Sequence, residues 1–379
     1  MASSKIKVIQ ILPELEEGGV EKGTLELGAY LVKNKYKSIV ISAGGRMAKT
    51  LQKEGSIHIT HKYIAEKTPR SLIHIPQISN IILKEKPDII HLRSRIPAWI
   101  AYLAYKSIPK RKRPKLVTTF HGFYSVNRYS AIMTKADKII AVSSIIADHI
   151  KKEYGVSDDK IKVIYRGISN EYLTPDKIEA KRLANLREKW EIDAKQSPLI
   201  LFPARLTRLK GHDFFIKSLF LISDLKWSVI FAGDIPQKSN YVKQLKDKIR
   251  KLKLTERIFF AGHCSDIPAA IMLANIVISA SVKPEAFGRT TIEAQAAGRA
   301  VIAPAFGGSL ETIKDGYTGW LFEPKNAESL ARVLRDALLN KQKREELGKS
   351  ARNHIKSDFT TERMCQSTVE LYERLIAEK

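Results

Sequence analysis

At 379 residues, with 44% hydrophobic and 28% charged residues, the chain has the composition of a globular protein and is long enough for two domains that each bury a core. No window holds the roughly 20 consecutive apolar residues of a membrane-spanning helix, and residues 1–5 lead into a strand rather than a signal peptide. Two cysteines, Cys264 and Cys365, are too few for a disulfide framework, so a cytoplasmic location is expected.

The net charge of +25 is concentrated in the first part of the chain. Residues 1–150 hold 25 lysines and arginines against 11 aspartates and glutamates, an excess of 14. Six cations lie close together: Lys106, Lys110, Arg111, Lys112, Arg113 and Lys115. This cluster is compatible with a solvated loop, with an anionic membrane surface or anionic lipid acceptor, or with nucleic acid. No zinc-finger, RNA-recognition or helix-turn-helix signature supports nucleic acid as a partner.

The first predicted strand, residues 6–12, is followed by Gly18-Gly19 and by an amphipathic helix over residues 20–33. Paired glycines suit a loop whose backbone approaches a ligand closely, although an ordinary strand-to-helix turn has the same composition. Further units of this kind follow, and one of them ends in a buried strand at His91. Such regular alternation predicts parallel, doubly wound α/β sheets. His91 is either a group that faces a substrate or a structural histidine.

The next strand, residues 116–120, ends at His121-Gly122. A histidine at the carboxyl end of a parallel strand points toward the crevice where α/β sheets bind ligands. A neutral imidazole there could donate a hydrogen bond to a substrate, and the alternative is a loop histidine bonded to backbone. Tyr124 and Arg128 follow and could line the same pocket.

The second half opens with a buried strand that delivers Arg205 and Lys210 to a loop. Two cations at a strand exit are costly to cluster unless an anion lies between them, and a diphosphate would meet that need. Arg208 is interpreted as solvated. His263-Cys264 suggests metal by residue type, but two adjacent residues without further ligands make a poor site, and no Asp-x-Asp occurs in the chain. No metal is expected.

The most informative stretch is KPEAFGRTTIEA, residues 283–294, which follows another buried strand. Proline and glycine punctuate a loop, and Thr290-Thr291 can cap and begin a helix. Glu285 then lies at the carboxyl end of a strand, and Glu293 lies about one helical turn further on. Two carboxylates at such a position can hold sugar or ribose hydroxyls while backbone N–H groups hold a diphosphate.

The frame Pro-Glu-Ala-Phe-Gly, with a second Glu-Ala after four further residues, resembles the retaining glycosyltransferases of sequence family 4. The downstream runs 297–303 and 307–312 are also similar to that family. The resemblance implies the α/β fold called GT-B, with two facing doubly wound, Rossmann-like domains and a C-terminal helix that crosses back to the first. It implies an acceptor-binding domain over 1–170, completed by a helix near 357–379, and a nucleotide-sugar-binding domain over 171–356.

The same resemblance implies roles for the residues at the strand exits. The catalytic set is Glu285, His121, Arg205 and Lys210. The donor-binding set is Gly18, Gly19, Arg205, Lys210, His263, Phe287, Gly288, Arg289, Thr290, Thr291 and Glu293. The acceptor side would hold His91, Tyr124 and Arg128. Arg166 stands where the family often has asparagine, a departure that puts only a backbone cap in doubt.

The implied reaction moves a hexose-type sugar from a nucleotide diphosphate of the UDP or GDP type, with retention of configuration and without a metal or other cofactor. The basic first half resembles bacterial transferases that build lipopolysaccharide or related cell-surface glycans. A glycan or lipid-linked acceptor at the cytoplasmic face of the inner membrane is therefore expected. Two alternatives stay open: a nucleotide-sugar epimerase or other enzyme on the same fold, and a non-catalytic basic protein that binds membrane or nucleic acid.

Overall fold

The computed structural model describes residues 6–16, 18–66, 68–169, 172, 174–190, 198–234 and 240–378. The chain forms two compact units. Met1–Gly167 and Thr361–Lys379 make the first unit, and Ile168–Thr360 make the second. The boundary expected at residues 170 and 171 falls outside the described residues.

The described part of the first unit contains a parallel seven-stranded sheet in the spatial order β3-β2-β1-β4-β5-β6-β7. The strands are β1 (Lys7–Ile11), β2 (Lys37–Ser42), β3 (Ile57–Thr60), β4 (Ile89–Leu92), β5 (Lys115–Phe120), β6 (Lys138–Ala141) and β7 (Ile161–Val163). The α-helices are α1 (Gly19–Lys33), α2 (Ala48–Lys53), α3 (Ile75–Glu85), α4 (Arg95–Ser107), α5 (Ser144–Tyr154) and, after the second unit, α14 (Thr361–Ala377). Short 3₁₀ helices cover Pro69–His74, Lys110–Lys112, Ser130–Thr134 and Asp158–Lys160.

The second unit contains a parallel six-stranded sheet, counted over its described residues, in the order β10-β9-β8-β11-β12-β13. The strands are β8 (Leu199–Pro203), β9 (Ser228–Ala232), β10 (Ile258–Gly262), β11 (Ile276–Ile278), β12 (Ala300–Pro304) and β13 (Trp320–Phe322). The α-helices are α6 (Ala180–Lys189), α7 (His212–Phe220), α8 (Asn240–Lys251), α9 (Ile267–Leu273), α10 (Arg289–Ala296), α11 (Ser309–Thr312), α12 (Ala327–Leu339) and α13 (Lys341–Asp358). Short 3₁₀ helices cover Pro175–Lys177, Arg208–Lys210 and Thr255–Arg257.

The central strands are buried on both faces, as expected for parallel sheets covered by helices, whereas the edge strands β3, β7 and β10 are only partly buried. In β2 the run Ser-Ile-Val-Ile-Ser is buried throughout, and all four residues of β4 are buried. The first unit's core also includes α14, because Met364, Val369 and Tyr372 pack with Val8 and Ile89 of the sheet. The predicted parallel, doubly wound architecture is confirmed.

The strand order reverses between β1 and β4 in the first sheet and between β8 and β11 in the second. At such a switch point the loops that leave the two strands run in opposite directions, which opens a crevice at the carboxyl ends. Ligands of open α/β sheets bind there. The loops after β1, β4, β8 and β11 are therefore where functional side chains are to be sought.

The basic cluster lies near the amino ends of the strands of the first sheet, opposite to the strand exits. Lys110–Lys112 directly precede β5 and are exposed, so the cluster borders the amino ends of the strands, whereas His121 leaves the carboxyl end of β5. Arg113 is partly structural, because its guanidinium donates to the carbonyl oxygens of Ile108 at 2.8 Å and Lys106 at 2.6 Å. Within the described ranges, no helix is both long enough and apolar enough to cross a bilayer.

Candidate active site

The loops that leave β8 and β11 meet at the switch point of the second sheet. Lys210 ends the 3₁₀ helix that follows β8, and Glu285 lies on the loop after β11. Lys210 Nζ lies 2.6 Å from Glu285 Oε1, and Ser281 Oγ donates to the same oxygen. The two charged side chains are 31% and 28% exposed. A charge-assisted pair with a third polar partner thus forms where ligands of this sheet are expected.

Glycines allow neighbouring loops to approach one another closely around this pair. Gly211 is left-handed, at φ 78°, and a Cβ there would overlap the carbonyl oxygen of Ala280. Gly307, after β12, leaves no room for a Cβ against the backbone of Glu285. The N–H of Gly308 donates to the Glu285 carbonyl oxygen at 2.8 Å. The loop that leaves the neighbouring strand β12 therefore holds the backbone of Glu285 in place.

Helix α10 begins before the threonines that were expected to cap it. Its N-cap is Gly288, left-handed at φ 80°, and its first residue is Arg289. Thr291 Oγ1 donates to the Gly288 carbonyl oxygen at 2.6 Å instead of accepting from a helix N–H, so the expected threonine cap is wrong. No side chain among the described residues caps this helix, and the N–H groups of Arg289 and Thr290 can meet an anionic ligand.

Glu293 lies about one turn into α10 and is 8% exposed. Arg289 Nη2 lies 3.5 Å from Glu293 Oε1. Arg289 Nη1 is buried and has no hydrogen-bond partner within the described part of the chain. A carboxylate acceptor beside an unused guanidinium donor suits the vicinal hydroxyl groups of a ribose.

The other predicted donor-side residues have different surroundings. Arg205 is exposed, and no hydrogen bond or ion pair involves its side chain within the described ranges. His263 is 53% exposed, and its Nδ1 lies 2.9 Å from Asp234 Oδ1. Phe287 is 4% exposed, with its ring 5.8 Å from that of Phe359. The Phe287 side chain therefore belongs to the core, and only its backbone remains for contact with a donor.

The cations after β8 do not need an external anion to be stable. Lys210 is already paired with Glu285 and Arg205 is exposed, so a diphosphate between the two cations stays a prediction. Arg208 is exposed, as expected for a solvated residue, but Gln244 accepts its hydrogen bond at 2.8 Å. Over the described residues, no group of three or more histidine, cysteine, aspartate or glutamate side chains could hold a metal ion.

In the first unit, Gly18 and Gly19 lie at the amino end of α1, as its N-cap and its first residue. Arg166, which is 7% exposed, donates through Nη2 to the Gly19 carbonyl oxygen. Its guanidinium fills the space next to Gly23 in which a Cβ would lie. The replacement of asparagine by Arg166 was expected to affect only a backbone cap. It has a larger effect, because this buried cation holds the first turns of α1 in place.

His121 leaves the carboxyl end of β5 and is partly buried. Burial holds its pKa well below the ordinary value, and the positive charges of Arg93 and Arg166 lower the pKa further. Its Nε2 atom is buried and has no hydrogen-bond partner among the residues that the structure describes. A neutral imidazole with one unused ring nitrogen can bond a substrate hydroxyl, so a substrate-contacting role for His121 stays a prediction.

Tyr124 lies close to His121, whose backbone N–H donates to its hydroxyl oxygen at 3.5 Å. The guanidinium of Arg95 lies 4.6 Å from the centre of the Tyr124 ring. Arg128 is exposed. Tyr124 is therefore held in place beside the strand exit, whereas Arg128 extends toward solvent.

His91 lies within β4 and is 1% exposed. Its Nδ1 lies 2.6 Å from the hydroxyl of Tyr372 on α14, and its Nε2 lies 2.6 Å from Thr119 Oγ1 on β5. Burial holds its pKa well below the ordinary value. Because both ring nitrogens already have partners inside the unit, the structure favours the structural interpretation over an acceptor-side role.

Sequence reasoning did not assign Ser281, Arg93, Arg95 or Arg166 to the site. Arg93 is 3% exposed and donates through Nη1 to Gln10 Oε1 at 3.0 Å. The signal for Arg93 and Arg95 was available, because both charges directly follow a strand of buried apolar residues. Ser281 and Arg166 carry no comparable signal, since their partners are set by the tertiary fold.

Two parallel, doubly wound units, with a charged pair at the switch point of the second, are the architecture expected of a GT-B glycosyltransferase. Residues 184–354 match the family model described as Glycosyl transferases group 1, and residues 17–172 match the model described as Glycosyltransferase Family 4. The crystal structure of a glycosyltransferase from Rickettsia africae ESF-5 is similar at a TM-score of 0.90 and 36% identity. The alignment covers 99% of this chain and 100% of that one. The chain therefore belongs to this family of glycosyltransferases.

More distant structures share the fold. Anabaena Alr3699/HepE, crystallised in complex with UDP and glucose, has a TM-score of 0.82 and 21% identity over 97% of this chain and 99% of that one. WaaG, a glycosyltransferase involved in lipopolysaccharide biosynthesis, has a TM-score of 0.72 and 16% identity over 96% and 99%. At these identities the likeness concerns the fold alone.

Proposed function

We propose that this glycosyltransferase moves a hexose-type sugar from a nucleoside diphosphate to a lipid-linked or lipopolysaccharide-core glycan, with retention of configuration at the anomeric carbon. The observation that carries the proposal is the Lys210–Glu285 pair at the switch point of the second sheet. The loop that holds Glu285 leads directly into α10, which carries Arg289 and Glu293. One unit thus offers a cation for a diphosphate and acids for hydroxyl groups.

In the proposed reaction, the bond between the sugar C1 and the β-phosphate oxygen breaks while a bond from C1 to an acceptor hydroxyl oxygen forms on the same face. The hydroxyl proton passes to the departing phosphate oxygen. Negative charge that develops on the diphosphate would be stabilised by Lys210, by Arg205 and by the N–H groups at the start of α10. No metal or other cofactor is part of this scheme.

Binding of the donor requires an exchange of partners at Lys210. Its ammonium group, now 2.6 Å from Glu285, would turn to the diphosphate and release the carboxylate to accept hydrogen bonds from the sugar hydroxyls. Glu293 and the unused donor of Arg289 would bind the ribose. On the acceptor side, the neutral ring of His121 would bond a hydroxyl group.

The base and the acceptor are proposed from relatives and from charge. UDP is the first donor nucleotide to test, because the Anabaena relative was crystallised with it, and GDP is the second. WaaG supports a lipopolysaccharide-type acceptor. A lipid-linked acceptor would place the enzyme at the cytoplasmic face of a membrane, where the exposed Lys110–Lys112 segment could contact anionic lipid.

The test is a transfer assay with UDP- and GDP-sugars in the presence and absence of a lipid-linked glycan fraction. Release of nucleoside diphosphate should require the acceptor, and NMR of the product should show the anomeric configuration of the donor. Glu285→Gln should abolish transfer, whereas Glu256→Gln, at an exposed position in the same unit, should not. Conversion of the sugar without acceptor would instead indicate an epimerase.

The membrane contact has its own test, flotation with liposomes that contain anionic lipid. Binding should weaken with salt and with replacement of all three cations of Lys110–Lys112 by glutamine. A control with the same charge change at the exposed Lys217, Lys226 and Lys251 should still float. Equal flotation of both variants would show that the cluster does not direct the contact.

A further inference from the structure

A cavity of about 590 Å³ opens in the first unit where α4 begins, directly after β4. Its wall is mainly apolar: Leu72, Ile96, Trp99, Ile100 and Tyr129. Trp99 Nε1 donates to the Tyr129 carbonyl oxygen at 3.0 Å, which ties α4 to the segment before the Ser130–Thr134 helix. The volume is in the range of pockets that enclose most of a small ligand.

The segments that border this cavity expose large apolar side chains. Leu72, which lines the cavity, is 47% exposed, and its sequence neighbour Ile73 is 72% exposed. Tyr129, which also lines the cavity, is 42% exposed, and Val126, three residues before it, is 55% exposed. Single exposed apolar residues are ordinary, but exposed apolar residues in the wall of an apolar cavity and close to that wall in sequence indicate a surface that meets an apolar ligand. None of these residues was assigned a role above.

A cation also lines the cavity. Arg95, the first residue of α4, has its guanidinium 4.6 Å from the Tyr124 ring centre and 5.6 Å from that of Tyr129. Its Nη1 donates to Ser130 Oγ at 3.0 Å. Glu66 also lines the cavity, but no carboxylate pairs with Arg95 in the described ranges of the chain. The guanidinium is thus fixed in direction by aromatic rings and a hydroxyl, and its charge is left for a ligand.

The position of Arg95 relates the cavity to the strand exits. It follows β4, which neighbours β1 on one side and β5 on the other, and β5 ends at His121. A ligand whose anionic group contacted Arg95 would therefore present that group toward the carboxyl ends of the central strands. Its apolar part would extend toward Leu72 and Trp99.

We infer that this cavity binds the apolar chain of a single-chain lipid phosphate, with the phosphate at Arg95. The inference rests on the proposed function and gives its acceptor a chemical class, a glycan carried on a single-chain lipid phosphate. The chain is held by hydrophobic burial along the cavity wall, and the phosphate is held by the guanidinium. The saccharide end then lies on the strand-exit side.

The first test uses the full chain and a series of monoalkyl phosphates with 6, 8 and 10 carbons, kept below their micellar concentrations. Affinity is measured by calorimetry and by quenching of tryptophan fluorescence. Each added methylene should strengthen binding by about fourfold, and two by about 15-fold, as expected for burial of a methylene in an apolar site. Inorganic phosphate should not compete at matched concentrations. Affinity that does not depend on chain length, or equal binding of inorganic phosphate, would overturn the inference.

The second test uses variants at exposed positions. Leu72→Gln should weaken decyl phosphate binding by at least fivefold, whereas Leu339→Gln, at a residue 66% exposed in the second unit, should leave it unchanged. Arg95→Gln should weaken decyl phosphate but not decanol. An unchanged near-UV circular dichroism spectrum and melting temperature in each variant shows that the first unit, which holds the cavity, is folded. Equal affinity of the two leucine variants for decyl phosphate would refute the site.

The outcomes separate this inference from the proposed function. If sugar transfer to a lipid-linked acceptor is found but Leu72→Gln leaves its KM unchanged, the cavity assignment fails and the transferase stands. If alkyl phosphates bind with the expected chain-length dependence while no nucleotide sugar is consumed, the cavity stands and the proposed reaction fails.

Discussion

The exchange of partners at Lys210 gives the sharpest prediction. A charge-assisted hydrogen bond to a phosphate contributes about 1.5–3 kcal/mol net. In the free protein, Lys210 is bonded to Glu285, and at 31% and 28% exposure that pair contributes about 1 kcal/mol, which donor binding must give up. The net contribution of Lys210 to UDP binding is then about 0.5–2 kcal/mol, or roughly 2- to 30-fold in dissociation constant.

Two substitutions should therefore move the affinity in opposite directions. Lys210→Met should weaken UDP binding by that factor. Glu285→Gln removes the competing anion and should strengthen UDP binding by about fivefold, even though it abolishes sugar transfer. The measurement is calorimetric titration of UDP, or of GDP if GDP binds better. Lys217→Met, at an exposed position on α7, is the matched control.

Two results would refute this reasoning. If Lys210→Met and Lys217→Met bind UDP equally well, the lysine at the switch point does not contact the diphosphate. If Glu285→Gln weakens UDP binding, the carboxylate does not compete for the ammonium group. In that case the pair seen in the free protein must persist in the complex.

Three further predictions concern stability. Burial lowers the pKa of His212 from 6.5 to about 4. Between pH 6.5 and pH 4 the unfolded chain therefore binds more protons than the folded protein. The free energy of unfolding should fall by about 3 kcal/mol as the pH drops through this range. Urea unfolding of His212→Phe should show a smaller loss of stability over the same pH range, because this histidine no longer contributes. Equal losses in the variant and in the unchanged protein would contradict the assignment to His212. Gly211→Ala should lower the free energy of unfolding by more than about 2 kcal/mol, because its Cβ would overlap a carbonyl oxygen. Gly316→Ala, also at positive φ but in open space, should lower it by about 1 kcal/mol. Equal shifts in melting temperature would argue against the overlap. Tyr372→Phe should cost about 1–3 kcal/mol by leaving its buried histidine partner unsatisfied, and the same change at the exposed Tyr317 should be neutral in the same melting experiment.

The architecture was largely predictable from the sequence because its signals are local. Runs of β-branched residues alternate with amphipathic stretches, and this alternation alone indicates parallel, doubly wound sheets. The predicted helix over 20–33 begins at Gly19 and ends at Lys33 in the structure. The position of Glu293 about one turn into α10 also followed from local spacing, although the helix is capped by Gly288 rather than by a threonine.

The pairing of site residues was not predictable, because it depends on strand order. Sequence placed Lys210 and Glu285 each at a strand exit, but their contact joins residues 75 apart and exists only because β8 and β11 are neighbours. Arg166 and Gly19 are 147 residues apart, and no local pattern announces their hydrogen bond. Long-range partners of this kind also decide which charges are already paired before a ligand binds, as Lys210 is with Glu285.

The last helix has a consequence for how the protein is made. Tyr372 and its neighbours on α14 complete the core around β1 and β4, yet the whole second unit lies between them in the chain. On the ribosome, the second unit can close its own core while the first still exposes the apolar face that α14 will cover. Until α14 emerges, that exposed apolar face can bind chaperones or aggregate with other chains.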